Sequence, residues 1–208
     1  MSPITKLDLK KTDRQLYNPP AHFTVIDVPP LRFLMIDGEG DPNTAPAYAQ
    51  AVEALYSVSY ALKFASKREH EIDYSVLPLE GLWWAEDMSL FTAGEAGKAG
   101  WQWTMMIRQP DHITAEMVTQ AVEQAHKKKP SDALARLYLD TYHEGLSVQV
   151  MYTGPYADEG PTIAALHVFA MEQGYALSGK HHEIYLSDPR RAAPEKLKTI
   201  IRQPVSKA

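Results

Sequence analysis

The chain has 208 residues, a formal net charge of −5 and no cysteine; 45% of its residues are hydrophobic and 23% are charged. This balance excludes an unstructured or collagen-like chain, and its acidity argues against a general nucleic-acid binder. Without cysteine there is no disulfide scaffold, no thiolate metal site and no cysteine nucleophile. The apolar runs are far shorter than the roughly 20 residues of a membrane span. The opening MSPITKLDLKKTDRQLYNPP lacks the apolar stretch of a secretory signal. The expected location is the cytoplasm, with no membrane partner.

The segment FTVIDVPPLRFLMIDG (23–38) predicts two short strands divided by Pro29-Pro30, followed by loop chemistry in GEGDPN. From Pro46 to about residue 65, Ala47, Ala51, Leu55, Val58 and Leu62 recur three or four apart, which predicts a helix entered through proline. DYSVLPLEGLWWAED (73–87) reads as strand, break and strand. FTAGEAGKAG (91–100) reads as a glycine-rich loop, and WQWTMMIRQP (101–110) as a strand stopped by proline. Residues 114–126 predict a helix with Met117, Val118, Ala121, Val122 and Ala125 as its apolar stripe. Lys127, Lys128 and Lys129 sit at its end, where cations complement the helix dipole. Strands follow at 137–142 and 146–152, with Glu144-Gly145 read as a hairpin turn. A helix over about 159–173, a strand at 181–188 and a last strand at 197–205 complete the chain.

MIRQP (106–110) returns as IIRQP (200–204), and RFLMIDGEGDPN from Arg32 shares its plan with VQVMYTGPYADEGP from Val148. These matches predict a duplication. The expected fold is α+β: duplicated strand-helix-strand-strand units, an antiparallel sheet with helices on one face, and a central ligand cleft.

Strand alternation places His181, Glu183 and Tyr185 on one face and His182, Ile184 and Leu186 on the other. With Ile184 and Leu186 directed into the helix-packed core, Glu183 is expected to face the cleft. There desolvation would raise its pKa and suit it to proton transfer or to holding a cation. Trp101 and Trp103 share a strand face and are candidates for stacking a planar ligand, with core packing as the alternative; Trp83 and Trp84 point to opposite faces. The hydroxyls of Tyr74, Tyr138 and Tyr142 are candidate donors to a ligand. Adjacent His181 and His182 face opposite ways and cannot share a metal, and the chain has no HExxH, P-loop or GxGxxG motif. No metal and no cofactor is expected.

HHEIYLSDPRRAAPEKLKTIIRQPV (181–205), LPLEGLWW (77–84), the WQWTMMIRQP strand and YHEGLSVQVMYTGPYADE (142–159) resemble the GyrI-like small-molecule-binding family. The resemblance implies an N-terminal extension over 1–22 and one domain over 23–208. Within it, repeat 1 spans about 23–110, a linker helix about 111–136, and repeat 2 about 137–205. It implies a ligand cleft like that of multidrug-responsive regulators, in which a buried glutamate recognises cationic aromatic drugs. The short stretch before the first strand predicts no helix-turn-helix arm and no nucleic-acid partner. Stand-alone members similar to this chain hydrolyse cyclopropanoid antibiotics. By that resemblance Glu183 is the leading catalytic residue, with Tyr185 beside it and Trp84 framing the site. Where relatives carry His before the Gly154-Pro155 turn, this chain has Tyr152, a departure that bears on proton transfer at that position. The implied ligand is a small, hydrophobic, aromatic molecule. The alternative function is a non-catalytic binder that sequesters planar hydrophobic or cationic xenobiotics.

Overall fold

The computed structural model describes residues 4–86 and 98–208. Most of the glycine-rich loop expected at 91–100 therefore lies outside the described residues. The elements are β1 (Thr5–Leu7), α1 (Leu9–Thr12), α2 (Arg14–Tyr17), β2 (Thr24–Val28), β3 (Leu31–Glu39), α3 (Pro46–Glu69), β4 (Ile72–Tyr74), β5 (Leu79–Trp84) and β6 (Gln102–Arg108). They continue with α4 (Ala115–Lys128), α5 (Asp132–Ala135), β7 (Tyr138–Tyr142), β8 (Gly145–Thr153), α6 (Gly160–Glu172), β9 (Tyr175–Leu177), β10 (His181–Tyr185) and β11 (Lys198–Lys207). The mixed α+β class with antiparallel sheet pairing is as expected. The pieces absent from the sequence reading are β1, α1, α2, α5 and β9. Each is three or four residues long, too short to carry a period.

The chain divides into two compact units. One is Met1–Thr12, Leu31–Leu77 and Trp83–Tyr142; the other is Asp13–Pro30, Pro78–Leu82 and His143–Ala208. In the first, β3 pairs antiparallel with both β6 and β7, and β1 runs parallel to β4. Helix α3 buries Ala51, Leu55, Val58 and Leu62 of the stripe its spacing predicts, together with Ala54, while Ala47 is half-buried. Thr114 caps α4 by accepting a hydrogen bond from the Met117 amide at 3.2 Å. Trp103 is fully buried and meets Tyr48 edge to face at 5.4 Å. A Cβ on Gly38 would overlap the Trp103 ring, so glycine is what lets the indole lie against β3.

In the second unit the strand order is β2, β8, β11, β10, all antiparallel, with β9 along the far end of β11. Leu166 and Ala170 of α6 pack on Val148, Val150, Ile201 and Val205.

The duplication is visible in strand register. Phe33 faces Arg108 across β3 and β6, and Gln149 faces Arg202 across β8 and β11. These pairs superpose when MIRQP is laid on IIRQP and Arg32 on Val148. The outer strands obey the same rule, with Thr24 opposite Gln149 and Asp140 opposite Phe33. The units do not follow chain order: β2 belongs with β8, and β7 with β3.

This pairing overturns the hairpin expected at Glu144-Gly145. Strand β7 pairs with β3, whereas β8 pairs with β2 and β11, so the two strands flanking the turn are not partners. Gly145 does adopt a positive φ of 72°. Glu144, expected in a hairpin turn, is instead buried and ion-paired with His182 and Arg202.

Candidate active site

Residues directly opposite each other on neighbouring strands share a sheet face. Glu183 faces Ile201, and Ile201 faces Val150; one row along, Tyr185 faces Thr199, and Thr199 faces Tyr152. Ile201 and Val150 belong to the core under α6. Glu183, Tyr185, Thr199 and Tyr152 therefore lie on the α6 side of this unit's sheet. The expectation that Ile184 would point to the helix-packed core and Glu183 away from it is reversed. Alternation fixes which residues share a face but not which face meets α6, because both faces bury apolar residues; Ile184 is 1% exposed on the other side.

The Glu183 side chain is 15% exposed. Tyr185 donates its hydroxyl proton to Glu183 Oε2 at 2.7 Å, and His181 Nε2 lies 3.1 Å from Oε1. The Tyr185 ring meets Tyr156 edge to face at 5.5 Å, and Tyr156 belongs to the turn leading into α6. Glu159, the residue just before α6, is buried and neighbours Glu183. Tyr152 donates to the Pro155 carbonyl at 3.0 Å, which anchors that turn to β8.

Two acids in one dry site cannot both ionise freely. Burial, and then the neighbouring charge of Glu183, raise the Glu159 carboxyl to about 8. Burial also disfavours charge on Glu183, but the hydrogen bond to His181, the Tyr185 hydroxyl and nearby His182 outweigh it and hold the group below its ordinary value. The elevated pKa expected at Glu183 is thus found on its neighbour. At neutral pH the pair consists of a carboxylate on Glu183 and a neutral acid on Glu159. The positive end of α6 adjoins both.

His181 Nδ1 is buried with no hydrogen-bond partner among the described residues, and Glu159 Oε1, Thr199 Oγ1 and His167 Nε2 are buried with none beyond loose contacts of Glu159 with Thr199 and of His167 with Gln203. Burial, with His181 next, lowers the pKa of His167. Unmet buried donors and acceptors are costly, so such a row suits water or the polar atoms of a ligand.

Of the residues singled out from the sequence, the structure brings Glu183, Tyr185 and Tyr152 together. Trp84, Trp101, Trp103, Tyr74, Tyr138 and Tyr142 belong to the first unit. There Trp103 is core, Trp101 meets Trp83 edge to face at 5.8 Å, and Trp84 and Tyr142 are half-buried. Tyr74 is buried and donates to Gln109 Oε1 at 3.4 Å, and burial raises its pKa. Tyr138 donates to Asp37 Oδ2 at 3.0 Å; burial and then the Asp37 charge raise it. Glu159, Thr199 and Tyr156 were missed. The available signal was an acid at the mouth of a helix that begins with Gly160-Pro161.

The chain belongs to the family of GyrI-like small-molecule-binding domains, which matches residues 22–206. Two solved structures from Listeria innocua are similar over the whole domain. One, described as an uncharacterised conserved protein, is 41% identical with a TM-score of 0.88, covering 96% of this chain and 100% of that one. The other, described as a hydrolase, is 41% identical with a TM-score of 0.86, covering 97% and 100%. The C-terminal domain of EcmrR shares the fold at 12% identity and a TM-score of 0.54, covering 90% and 98%. No curated protein sequence matches the chain at significance. Among the described residues no helix is long and apolar enough to cross a membrane.

Proposed function

We propose that this protein is a hydrolase that opens the cyclopropane ring of cyclopropanoid DNA-alkylating antibiotics of the yatakemycin and duocarmycin type, detoxifying them and conferring resistance. Small-molecule binding is the property of its family, and a relative with 41% identity is described as a hydrolase. The observation that carries the catalytic part is two carboxyls in one site: Glu159 buried before α6, and Glu183 held by the Tyr185 hydroxyl and by His181.

The reaction needs a water held beside the strained methylene. Glu183, fixed by Tyr185 and His181, accepts a proton from that water. Glu159, still protonated, donates a hydrogen bond that orients it. The water oxygen forms a bond to the methylene carbon as the carbon–carbon bond of the ring breaks. The electron pair of that bond moves into the dienone, which becomes an aromatic phenolate. Glu183 gives its proton back to solvent and the phenolate takes one up, so the sum is substrate plus one water. Aromatisation drives the reaction forward, and the catalyst's task is placement and proton transfer. Tyr185 acts on Glu183, whose oxygen its hydroxyl already occupies. The ring of Tyr156, set against Tyr185, offers an apolar edge to a flat ligand.

The test is incubation with a cyclopropanoid in oxygen-18 water, followed by mass spectrometry. The expected product carries one heavy oxygen on the former methylene carbon. Recovery of intact ligand from the protein would reduce the function to sequestration. A covalent adduct on the protein would equally exclude turnover.

A further inference from the structure

The reverse face of β10 carries a second group of ionisable side chains that the hydrolytic reading does not use. His182 is 1% exposed at its side chain and lies between two carboxylates. Its Nε2 is 3.1 Å from Glu80 Oε2, and its Nδ1 is 3.0 Å from both oxygens of Glu144. Arg202 donates from Nη1 to Glu144 Oε2 at 3.0 Å, from Nε and Nη2 to Gln149 Oε1 at 3.1 and 2.9 Å, and from Nη2 to the Leu16 carbonyl at 2.9 Å. Tyr17 donates to Glu80 Oε1 at 3.1 Å, and Gln149 donates to the Gln15 carbonyl at 3.0 Å. All of these residues lie in one unit, contributed by α2, β5, β8, β10, β11 and the residue before β8.

A neutral imidazole has one N–H and one bare nitrogen. A bare nitrogen facing a carboxylate in a dry interior would set lone pair against lone pair. With both carboxyls ionised, only the imidazolium, with a proton on each nitrogen, donates to Glu80 and Glu144 together. The quartet then balances, with Glu80 and Glu144 negative and His182 and Arg202 positive. Balance is the condition for burying such charges at all.

The consequence reaches through the strand. His182 and Glu183 are adjacent in sequence and project to opposite faces, so the imidazolium is a fixed positive charge directly behind the candidate base. Nothing in the quartet is free to turn away, because every member is held by at least two hydrogen bonds. We propose that His182 is a positioning residue for the Glu183–Glu159 pair: its buried charge, locked by Glu80, Glu144 and Arg202 behind the strand, adds to the hold that His181 and Tyr185 have on the Glu183 carboxylate from the front. This role rests on the hydrolytic reading only for what the pair does, not for how the pair ionises. The other groups facing Glu183 are Glu159 at the mouth of α6, His181 and Tyr185 on β10, and Thr199 on β11; His167 of α6 faces His181. Those facing His182 are Glu80, Glu144 and, through them, Tyr17 and Arg202.

The test compares the wild type with the double variant Glu80→Gln/His182→Gln, which removes one charge of each sign and keeps hydrogen-bonding side chains at both positions. Carboxyl-carbon NMR on the ligand-free protein follows Glu183 and Glu159, and the pH profile of kcat/KM with a cyclopropanoid follows the reaction. In the double variant the proton affinity of Glu183 is expected to rise about tenfold, with the acid limb of the profile moving up by the same amount. A folded double variant with both titrations unchanged would reduce the quartet to a structural role and overturn the proposal. Nitrogen NMR of wild-type His182 gives a second test that needs no variant: both ring nitrogens are expected to be protonated at neutral pH, and a neutral ring would overturn the proposal. Carboxyl titrations that move as expected in a protein without turnover would support the positioning role while refuting the hydrolytic reading.

Discussion

Glu183→Gln is expected to lower cyclopropanoid turnover by roughly a hundredfold to ten-thousandfold while leaving ligand binding intact. The amide keeps the shape of the side chain and still accepts one hydrogen bond, but it cannot take a proton from water. The Tyr185 hydroxyl, now 2.7 Å from Oε2, can donate to the amide oxygen, so the local geometry persists. The Glu159 carboxyl then loses the neighbouring negative charge that helps to raise it and titrates closer to its ordinary value. Single-turnover rates and tryptophan-fluorescence binding curves on the same preparation separate the two effects. Near wild-type turnover in the variant would remove Glu183 from its assigned role.

The second large effect concerns stability. Burial alone would lower the pKa of His182, but the charge of Glu144 and its contacts with Glu144 and Glu80 outweigh burial and raise it from 6.5 to about 9. Its stabilisation is therefore complete below 6.5 and is lost as pH rises through about 9. Burial raises Glu144, yet His182 and Arg202 outweigh it and bring it from 4.5 down to about 2. That contribution is present above 4.5 and disappears as pH falls toward 2. The alkaline loss from His182 is on the order of 3 kcal/mol. Glu159 works in the same direction on that side. A carboxyl whose folded pKa is raised from 4.5 to about 8 costs stability progressively above 4.5. Thermal melts in the Glu159→Gln background isolate the His182 contribution. The fall in Tm between 6.5 and 9 is expected to persist there and to be absent when Glu80→Gln/His182→Gln is added to that same background. Arg202→Met, which leaves Glu144 short of one cationic partner in a dry site, is expected to cost about 3–5 kcal/mol. A flat Tm across this range, with Arg202→Met near wild type, would contradict the charge assignment.

Much of this arrangement was legible in the sequence. A two-residue period sufficed to place His181, Glu183 and Tyr185 together, and the structure joins them by hydrogen bonds. The repeated RQP segments announced a duplication that the strand registers bear out. Which face of β10 meets the helix was not legible, because Ile184 and Ile201 are both buried and alternation alone does not say which of the two meets α6. Glu159 lay hidden in an acidic loop, far from Glu183 in sequence, and only the packing of α6 joins them. The quartet was equally hidden, since Glu80, Glu144, His182 and Arg202 come from four separate segments. One clue was available: Arg202 follows Ile200 and Ile201 in a strand too apolar to be exposed, and a buried guanidinium requires acidic partners. Glu144 was the acid to find, but the adjacent glycine suggested a turn.

The central claim is the unequal division of one proton between Glu159 and Glu183. Carboxyl-carbon NMR of the ligand-free wild type measures it directly. The account predicts a Glu159 midpoint near 8 and a Glu183 midpoint below the ordinary 4.5. Two carboxyls titrating independently near 4.5 would contradict it.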